Sequence, residues 1–540
     1  MQPKNRQDVN QGESNKGSRT VGIDLGTTFS AIAHIDDFGK PEIIPNAENE
    51  RITPSMILFD GPNAIVGRVA QQNAVAEPEK IVDFIKREMG KSKAMFNREF
   101  DGRQYSAEEL SALIIRKLVT DAERFLQEPI KDAVITVPAY FNDAERTATI
   151  SAGQLAGLNV LQVINEPTAA ALAYGMDKLD RDQTVFVFDL GGGTFDVTIM
   201  RIENRQMRMV ASNGDHRLGG KDWDDVILHW AAEEFEKAYG DNPLLDLQSY
   251  QDLHSRSQIA KVQLSARGQT TLVHSYKGKS IKLQLTREDF ELRCAHLLGR
   301  CKALCEIVME EAGMDWSALD TILLTGGMTR MPSVRKLIQD LAPGVPVNAE
   351  LSPDEAVARG AAIQATLCKL RKQQREEVQA VDDSKSSTIV RVQFSDGGGQ
   401  VIQVTEITTH TLGVVLWDNT ANEEYVFPMI RKSTALPVAM KDSFGLSRSD
   451  IRKATVRIVE GESTVPRECT ALGHCEIDLP PDLPKGTPVE VTYCYDESQV
   501  LEVLVEVAGR RSCSVINRNA GLTESELQAA AADLYRINVT

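Results

Sequence analysis

The chain has 540 residues, more than one hydrophobic core serves, so two to four domains are expected. With 25% charged and 42% hydrophobic residues its composition is that of an ordinary globular protein. The net charge of −17 disfavours nucleic acid and anionic membrane as main partners, while leaving room for a nucleotide in a local cradle.

Residues 1–20 are polar, carry no signal-peptide core and read as a disordered tail. No later stretch reaches the roughly 18 apolar residues of a membrane helix, so a cytoplasmic location is expected. From Val21 to about Leu370, β-type runs (VGIDLG, AVITVPAY, TVFVFDLGGG, TILLTGG) alternate with amphipathic helical runs, the pattern of an α/β domain. Cys294, Cys301 and Cys305 fall on one face of a helical run. A buried face is the plain reading, and a metal site would lack a fourth ligand. Residues 371–400 hold RKQQREE, Asp382-Asp383-Ser384-Lys385 and Gly397-Gly398-Gly399, a linker composition. Over 401–517 short strands such as LGVVLW, ATVRIVEG and LEVLVEV are separated by Gly, Pro and Asp turns, as in a β-sandwich. At 518–540, Thr523 and Glu526 form a capping box before the helical run SELQAAAADLY, expected to survive by packing on the sandwich.

One motif occurs twice. Asp24-Leu25-Gly26-Thr27-Thr28 recurs as Asp189-Leu190-Gly191-Gly192-Gly193-Thr194, each after an apolar strand and before another. The repeat predicts two related half-domains offering an Asp and a Gly turn to one cleft. Glycine lets successive backbone N–H groups approach a phosphate, and the Asp can hold Mg²⁺ through water. Either turn alone would serve equally as a tight hairpin. Neither is a Rossmann loop, because the strand VTIM follows where a helix is required. Gly90-Lys91-Ser92 mimics the end of a Walker loop, but Ile85 stands where its first Gly belongs. Thr325-Gly326-Gly327 joins a strand to a helix starting near Pro332, which suits a ligand at the helix N-terminus or simple close packing. In Ser352-Pro353-Asp354-Glu355, Ser352 is the expected N-cap and Glu355 closes a capping box.

Together these strings resemble the seventy-kilodalton heat-shock chaperone family. They are GIDLGTT (22–28), VPAYFND (137–143), AGLNV (156–160), INEPTAAALAYG (164–175), FDLGGGTFDV (188–197), LGGKDWD (218–224), TGGMTR (325–330) and SPDEAVARGAA (352–362). The resemblance implies an actin-like ATPase of two lobes with ATP and Mg²⁺ between them. Asp24, Glu166 and Asp189 would surround the metal and its waters, and Lys86 would reach the transferred phosphoryl group. Gly26, Thr27, Thr28, Gly191, Gly192, Gly193 and Thr194 would hold phosphates near Asp196. Gly219, Gly220, Lys261, Ser265, Gly326, Gly327, Arg330 and Asp354 would border the nucleotide, and Pro138 and Arg146 would relay its state between domains. The second domain implies a peptide groove at Trp417, Met429, Ile430, Phe444 and Ala454, each equally an ordinary sandwich core residue.

Five departures stand out: Gln258 for an adenosine-contacting Glu, Met328 for Ser, Lys221 for Glu, Ile402-Gln403-Val404-Thr405 for an apolar leucine linker, and Gln162 for the Arg that J-domain co-chaperones use. The last two predict weak coupling between the domains and weaken the case for a J-domain partner. The helical run at 523–536 matches only the start of the family's lid, so a truncated lid is expected. The expected function is an ATP-hydrolysing chaperone for extended apolar segments of unfolded proteins, served by a nucleotide exchange factor. The alternatives are a nucleotide switch with one client and, behind it, a sugar or polyol kinase.

Overall fold

A computed structural model describes residues 19–96, 98–175, 178, 181–204, 206–348, 351–379, 391–393, 399–401, 403–418, 420–449, 451–515 and 524–540. Residues 1–18 of the expected tail, most of the expected linker, Ile402 and the Thr523 half of the capping box lie outside them. Arg19 and Thr20 belong not to a tail but to the strand Arg19–Asp24. Arg19 is fixed there by Glu128 at 2.7 Å and Asp37 at 3.0 Å.

The twofold motif is a twofold structure. In the first lobe, Arg19–Asp24 pairs antiparallel with Phe29–Ile35 and parallel with Ile130–Val137. In the second, Gln183–Leu190 pairs antiparallel with Phe195–Glu203 and parallel with Thr321–Thr325. Each apolar strand therefore carries its Asp at or next to its end, at the same rim of its sheet, where the Gly turn follows. This paired-sheet arrangement is the actin-like fold. The helix Ala356–Gln379 crosses between the lobes. It lies close because Gly22 and Gly360 carry no side chain: a Cβ at Gly22 would fall on the backbone of Ala361 and Ala362, and one at Gly360 on that of Ala169. The helix runs on past the expected boundary at 370, and its apolar positions through Leu367 are buried against both lobes. Cys294, Cys301 and Cys305 are all buried in the second lobe's core, as the plain reading had it.

Beyond this unit, two four-stranded sheets form a β-sandwich. One holds Leu412–Asp418 and Lys453–Glu460, the other Pro488–Tyr495 and Leu501–Val507. Their inner faces bury Val414, Ile458, Val491, Val503 and Val505. The Tyr493 hydroxyl donates to the Gly413 carbonyl at 3.0 Å, tying the sheets together.

Three observations differ from expectation. Gln403–Thr405 is not part of the sandwich; it pairs parallel with Gln206–Arg208 and extends the second lobe's sheet. The polar linker docks anyway, because strand pairing uses main-chain groups and is indifferent to side-chain hydropathy. The helix Glu524–Leu534 packs on the first lobe rather than on the sandwich, burying Ala530 and Leu534 in that lobe's core. Its apolar residues Leu527, Ala530, Ala531 and Leu534 join the cluster formed with helices Ala107–Leu126 and Asp143–Leu155. Finally, Glu355 closes no capping box: Arg51 takes its carboxylate at 2.6 and 2.9 Å, and the helix begins at Ala356.

The sandwich sits against both lobes. Lys432 pairs with Glu311 of the second lobe at 2.6 Å, and the Leu501 amide donates to Asp143 of the first at 3.2 Å. Gln162 lies inside this seam, donating to the Glu497 carbonyl at 3.3 Å and accepting from Gln364 at 2.7 Å.

Candidate nucleotide site

A cleft of about 640 Å³ opens between the lobes. Asp24, Gly26, Thr27, Thr28, Lys86, Glu166, Asp189, Gly191, Gly192, Thr194, Gly220, Lys261, Ser265, Gly326, Gly327, Arg330 and Asp354 all line it. Gly193, Asp196 and Gly219 do not reach its wall. Gly193 and Gly219 touch each other behind it, where a Cβ on Gly219 would come within 2.6 Å of the Gly193 backbone.

The two Gly turns meet face to face. A Cβ on Gly192 would collide with the Thr28 side chain and one on Gly193 with that of Thr27, so only glycine permits this approach. Ser55 fixes the first turn by donating to the Gly26 carbonyl at 2.8 Å, and the Gly191 amide closes the second on the Thr194 carbonyl at 3.0 Å.

Charge is concentrated at the cleft floor. Lys86, buried, ion-pairs with Glu166. Asp24, Asp189 and Asp196 crowd the same pair. Burial, then the neighbouring Glu166, pushes Asp24 up to about 7, and does the same to Asp196. Asp189 is raised well above the usual carboxylate range for the same two reasons. Four carboxyl groups thus share one lysine, an excess of negative charge that a cation would relieve. Asp196 also accepts from the Tyr140 amide at 3.1 Å, which connects the floor to the 138–146 segment.

Arg146 is fully buried there. It donates to the carbonyls of Phe141 at 2.9 Å and Ala139 at 3.0 Å, and to Asn165 Oδ1 at 2.6 Å. Pro138 accepts from the Phe141 amide at 3.1 Å. The Asn165 amide in turn donates to Glu406 at 3.3 Å, in the segment that leads to the sandwich. Pro138 and Arg146 therefore stand between the cleft and the second unit.

Sequence reasoning missed three features. Arg87 bridges the lobes behind the cleft wall, donating to the Gly193 carbonyl at 2.9 and 2.7 Å and pairing with Asp222 at 2.5 Å. Phe84, in left-handed conformation at φ 52°, meets His254 edge-on at 5.6 Å across the lobes. Tyr250 stacks on the far side of His254, and Lys221 lies over the Phe84 ring. Burial lowers His254 to about 4, so the imidazole is neutral at physiological pH. Glu406 was the third, read only as part of a strand of the expected sandwich over 401–517. Of the departures, Met328 is buried in the cleft wall, whereas Gln258 does not line the cleft.

In the sandwich, Met429 and Ile430 are buried in the core, the plainer of the two roles left open for them. Phe444 and Ala454 pack on its edge, Phe444 against Phe427 at 5.4 Å, while Trp417 is 48% exposed.

Paired actin-like lobes, a carboxylate-rich cleft with glycine turns and an appended β-sandwich define a two-lobed ATPase carrying a binding module. The family model described as Hsp70 protein matches residues 20–536. The chain is similar to the chaperone protein DnaK of Thermotoga neapolitana, 36% identical over 527 residues that cover 96% of this chain and 83% of that relative. It is equally similar to the chaperone protein DnaK of Thermus thermophilus, 36% identical over 549 aligned positions covering 96% and 84%. The chain belongs to the Hsp70 family and is an ATP-dependent chaperone that hydrolyses ATP. The match extends through the sandwich, and neither the kinase nor the single-client switch is favoured.

Proposed function

We propose that Asp24, Glu166 and Asp189 hold Mg²⁺ through its water shell, and that Lys86 and Thr194 act on the transferred phosphoryl group. Hydrolysis then controls the grip of the sandwich on extended apolar segments of unfolded chains. The observation that carries this is the crowding of four carboxyls, three of them buried and Asp24 partly so, around one lysine. Mg²⁺ takes oxygen ligands and keeps several waters, so it suits this donor set. When bound it supplies charge stabilisation on the phosphate oxygens. Lys86 adds a fixed cation, the glycine turns point amides at the phosphates, and Gly326, Gly327, Arg330 and Asp354 border the base and ribose. Arg330 and Asp354 are ion-paired at the rim.

The pH dependence follows in sign. Asp24 and Asp196 are raised to about 7, so they are protonated below it and charged above it. A cation needs the charged form. Affinity for Mg·ADP should therefore rise as pH passes upward through about 7, and binding at pH 7 should release protons. Calorimetry in buffers of different ionisation heat measures that release. Equal apparent heats in all buffers at pH 7, in wild type as in Asp24→Asn, would remove the carboxyl cluster from cation binding.

We further propose that the Phe84–His254 contact keeps the lobes closed over bound nucleotide. Aromatic pairs contribute roughly 0.5–1.5 kcal/mol beyond their buried area, so Phe84→Ala should speed ADP release about tenfold. Stopped-flow displacement of a fluorescent ADP reads this, and an unchanged rate refutes the closure role.

The working protein is proposed to be cytoplasmic and to act in stress. Among the described residues no helix is long and apolar enough to cross a membrane. An exchange factor is the proposed partner for nucleotide release. Because Gln162 is engaged with Gln364 and Glu497, a J-domain partner is not part of the proposal. The ATPase unit is taken to begin at Arg19 and to end with the Ala356–Gln379 helix, with the sandwich over 412–515.

A further inference from the structure

The first lobe carries a small sheet in which Ile57–Asp60 pairs with Asn63–Val66. Without a neighbour, Asn63–Val66 would be an open edge with unpaired main-chain groups. Asn538–Val539 fills that edge in parallel register. The Asn538 amide donates to the Pro62 carbonyl at 3.1 Å, the Thr540 amide to Ala64 at 3.1 Å, and the Val66 amide to Thr540 at 2.9 Å. Ile537 and Val539 pack on the lobe's core together with Leu527, Ala531 and the buried Ala530 and Leu534. Arg116 of the lobe clasps the junction between helix and strand, donating to the carbonyls of Leu534 at 2.6 Å and Ile537 at 3.2 Å.

We infer that the Asn63–Val66 edge and the neighbouring helical groove form an acceptor site for a helix-then-strand segment, and that residues 524–540 are its ligand. Occupied by this segment, the site straps the sandwich to the first lobe. Three kinds of recognition coincide: main-chain pairing at an edge, apolar side chains in a groove, and a guanidinium on helix-terminal carbonyls. The remaining seam between sandwich and lobes combines polar contacts such as Lys432–Glu311 and Gln162–Glu497 with buried Ile407 and the Tyr140–His410 ring contact, and the strap adds an apolar anchor of its own on the first lobe. None of its residues lines the nucleotide cleft, and the inference stands apart from the reading of that cleft.

The test is Asn538→Pro with Thr540→Pro in the full chain, which removes both tail donors while leaving the buried helix intact. Hydrogen exchange is followed in peptic fragments spanning Ile57–Val66, alongside the radius of gyration by small-angle scattering. Wild type should protect this strand. The double variant should exchange there about tenfold faster, expand, and, once Ala530→Asp and Leu534→Asp are added to empty the groove, regain protection with a synthetic peptide of residues 524–540. A peptide with the same two prolines should not restore it. Exchange and radius unchanged in the variant would overturn the strap, and failure of the native peptide to restore protection would overturn the acceptor site.

Discussion

Lys86→Ala should lower the single-turnover rate of ATP hydrolysis by about 10²- to 10³-fold, the loss typical when one stabiliser of developing transition-state charge is removed. Nucleotide should still bind, because the glycine turns and the adenosine border do not depend on this side chain. Lys86 comes from the short turn Ile85–Glu88, is 6% exposed and has Glu166 as its ion-pair partner. Removing it strands a buried carboxylate, which costs about 3–5 kcal/mol when a buried pair is broken. The variant should therefore also melt at a lower temperature. Adding Glu166→Gln should recover stability, which traces the lower melting temperature to the stranded carboxylate. A single-turnover rate equal to wild type in Lys86→Ala would take Lys86 out of the chemistry.

Glu406→Ala should release the sandwich from the lobes. The carboxylate is 6% exposed at the point where the second lobe's extra strand turns towards the sandwich. It accepts from the Asn165 amide at 3.3 Å and from Gln499 at 3.4 Å, and Gln499 is itself fully buried. Arg146 is the strongest opposing charge near it; burial nonetheless raises the Glu406 carboxyl above its ordinary value. Alanine would leave a buried amide, a buried glutamine and a nearby guanidinium without this acceptor. At about 3 kcal/mol for such a loss, the docked population falls on the order of a hundredfold. Small-angle scattering should show expansion, and hydrolysis should no longer respond to an apolar peptide. Glu406→Gln keeps an acceptor oxygen and should retain most docking. If Glu406→Ala stays as compact as wild type, the Arg146–Asn165–Glu406 path does not hold the two units together.

The sequence announced the cleft far better than the contacts between units. Asp24 and Asp189 were legible because each sits where an apolar strand ends in a glycine turn, a local arrangement that repeats. Arg87 was not, since an arginine reaching 106 residues along the chain to Gly193 leaves no local trace. The helix Glu524–Leu534 was readable from its capping signal and helix formers, and its shortness says that it must pack on something but not on what. The polar run at 403–405 misled most. Side-chain hydropathy predicted a loose connection and weak coupling, whereas main-chain pairing to Gln206–Arg208 needs no apolar side chain. Met429 and Ile430 could not be assigned to groove or core, because both demand the same residue types.

The pairing of Gln403–Thr405 with the second lobe bears on solubility. While it lasts, the strand Gln206–Asp215 is covered along its outer side near Met207. Were Gln403–Thr405 to leave with the sandwich, that strand would present bare amides and carbonyls to solvent. A naked strand recruits other strands, including those of a second chain or of an unfolded client. A cycle that includes such a detachment would carry a transiently adhesive surface, and the dwell time of that open form would bear on how concentrated the protein can become before chains begin to stick.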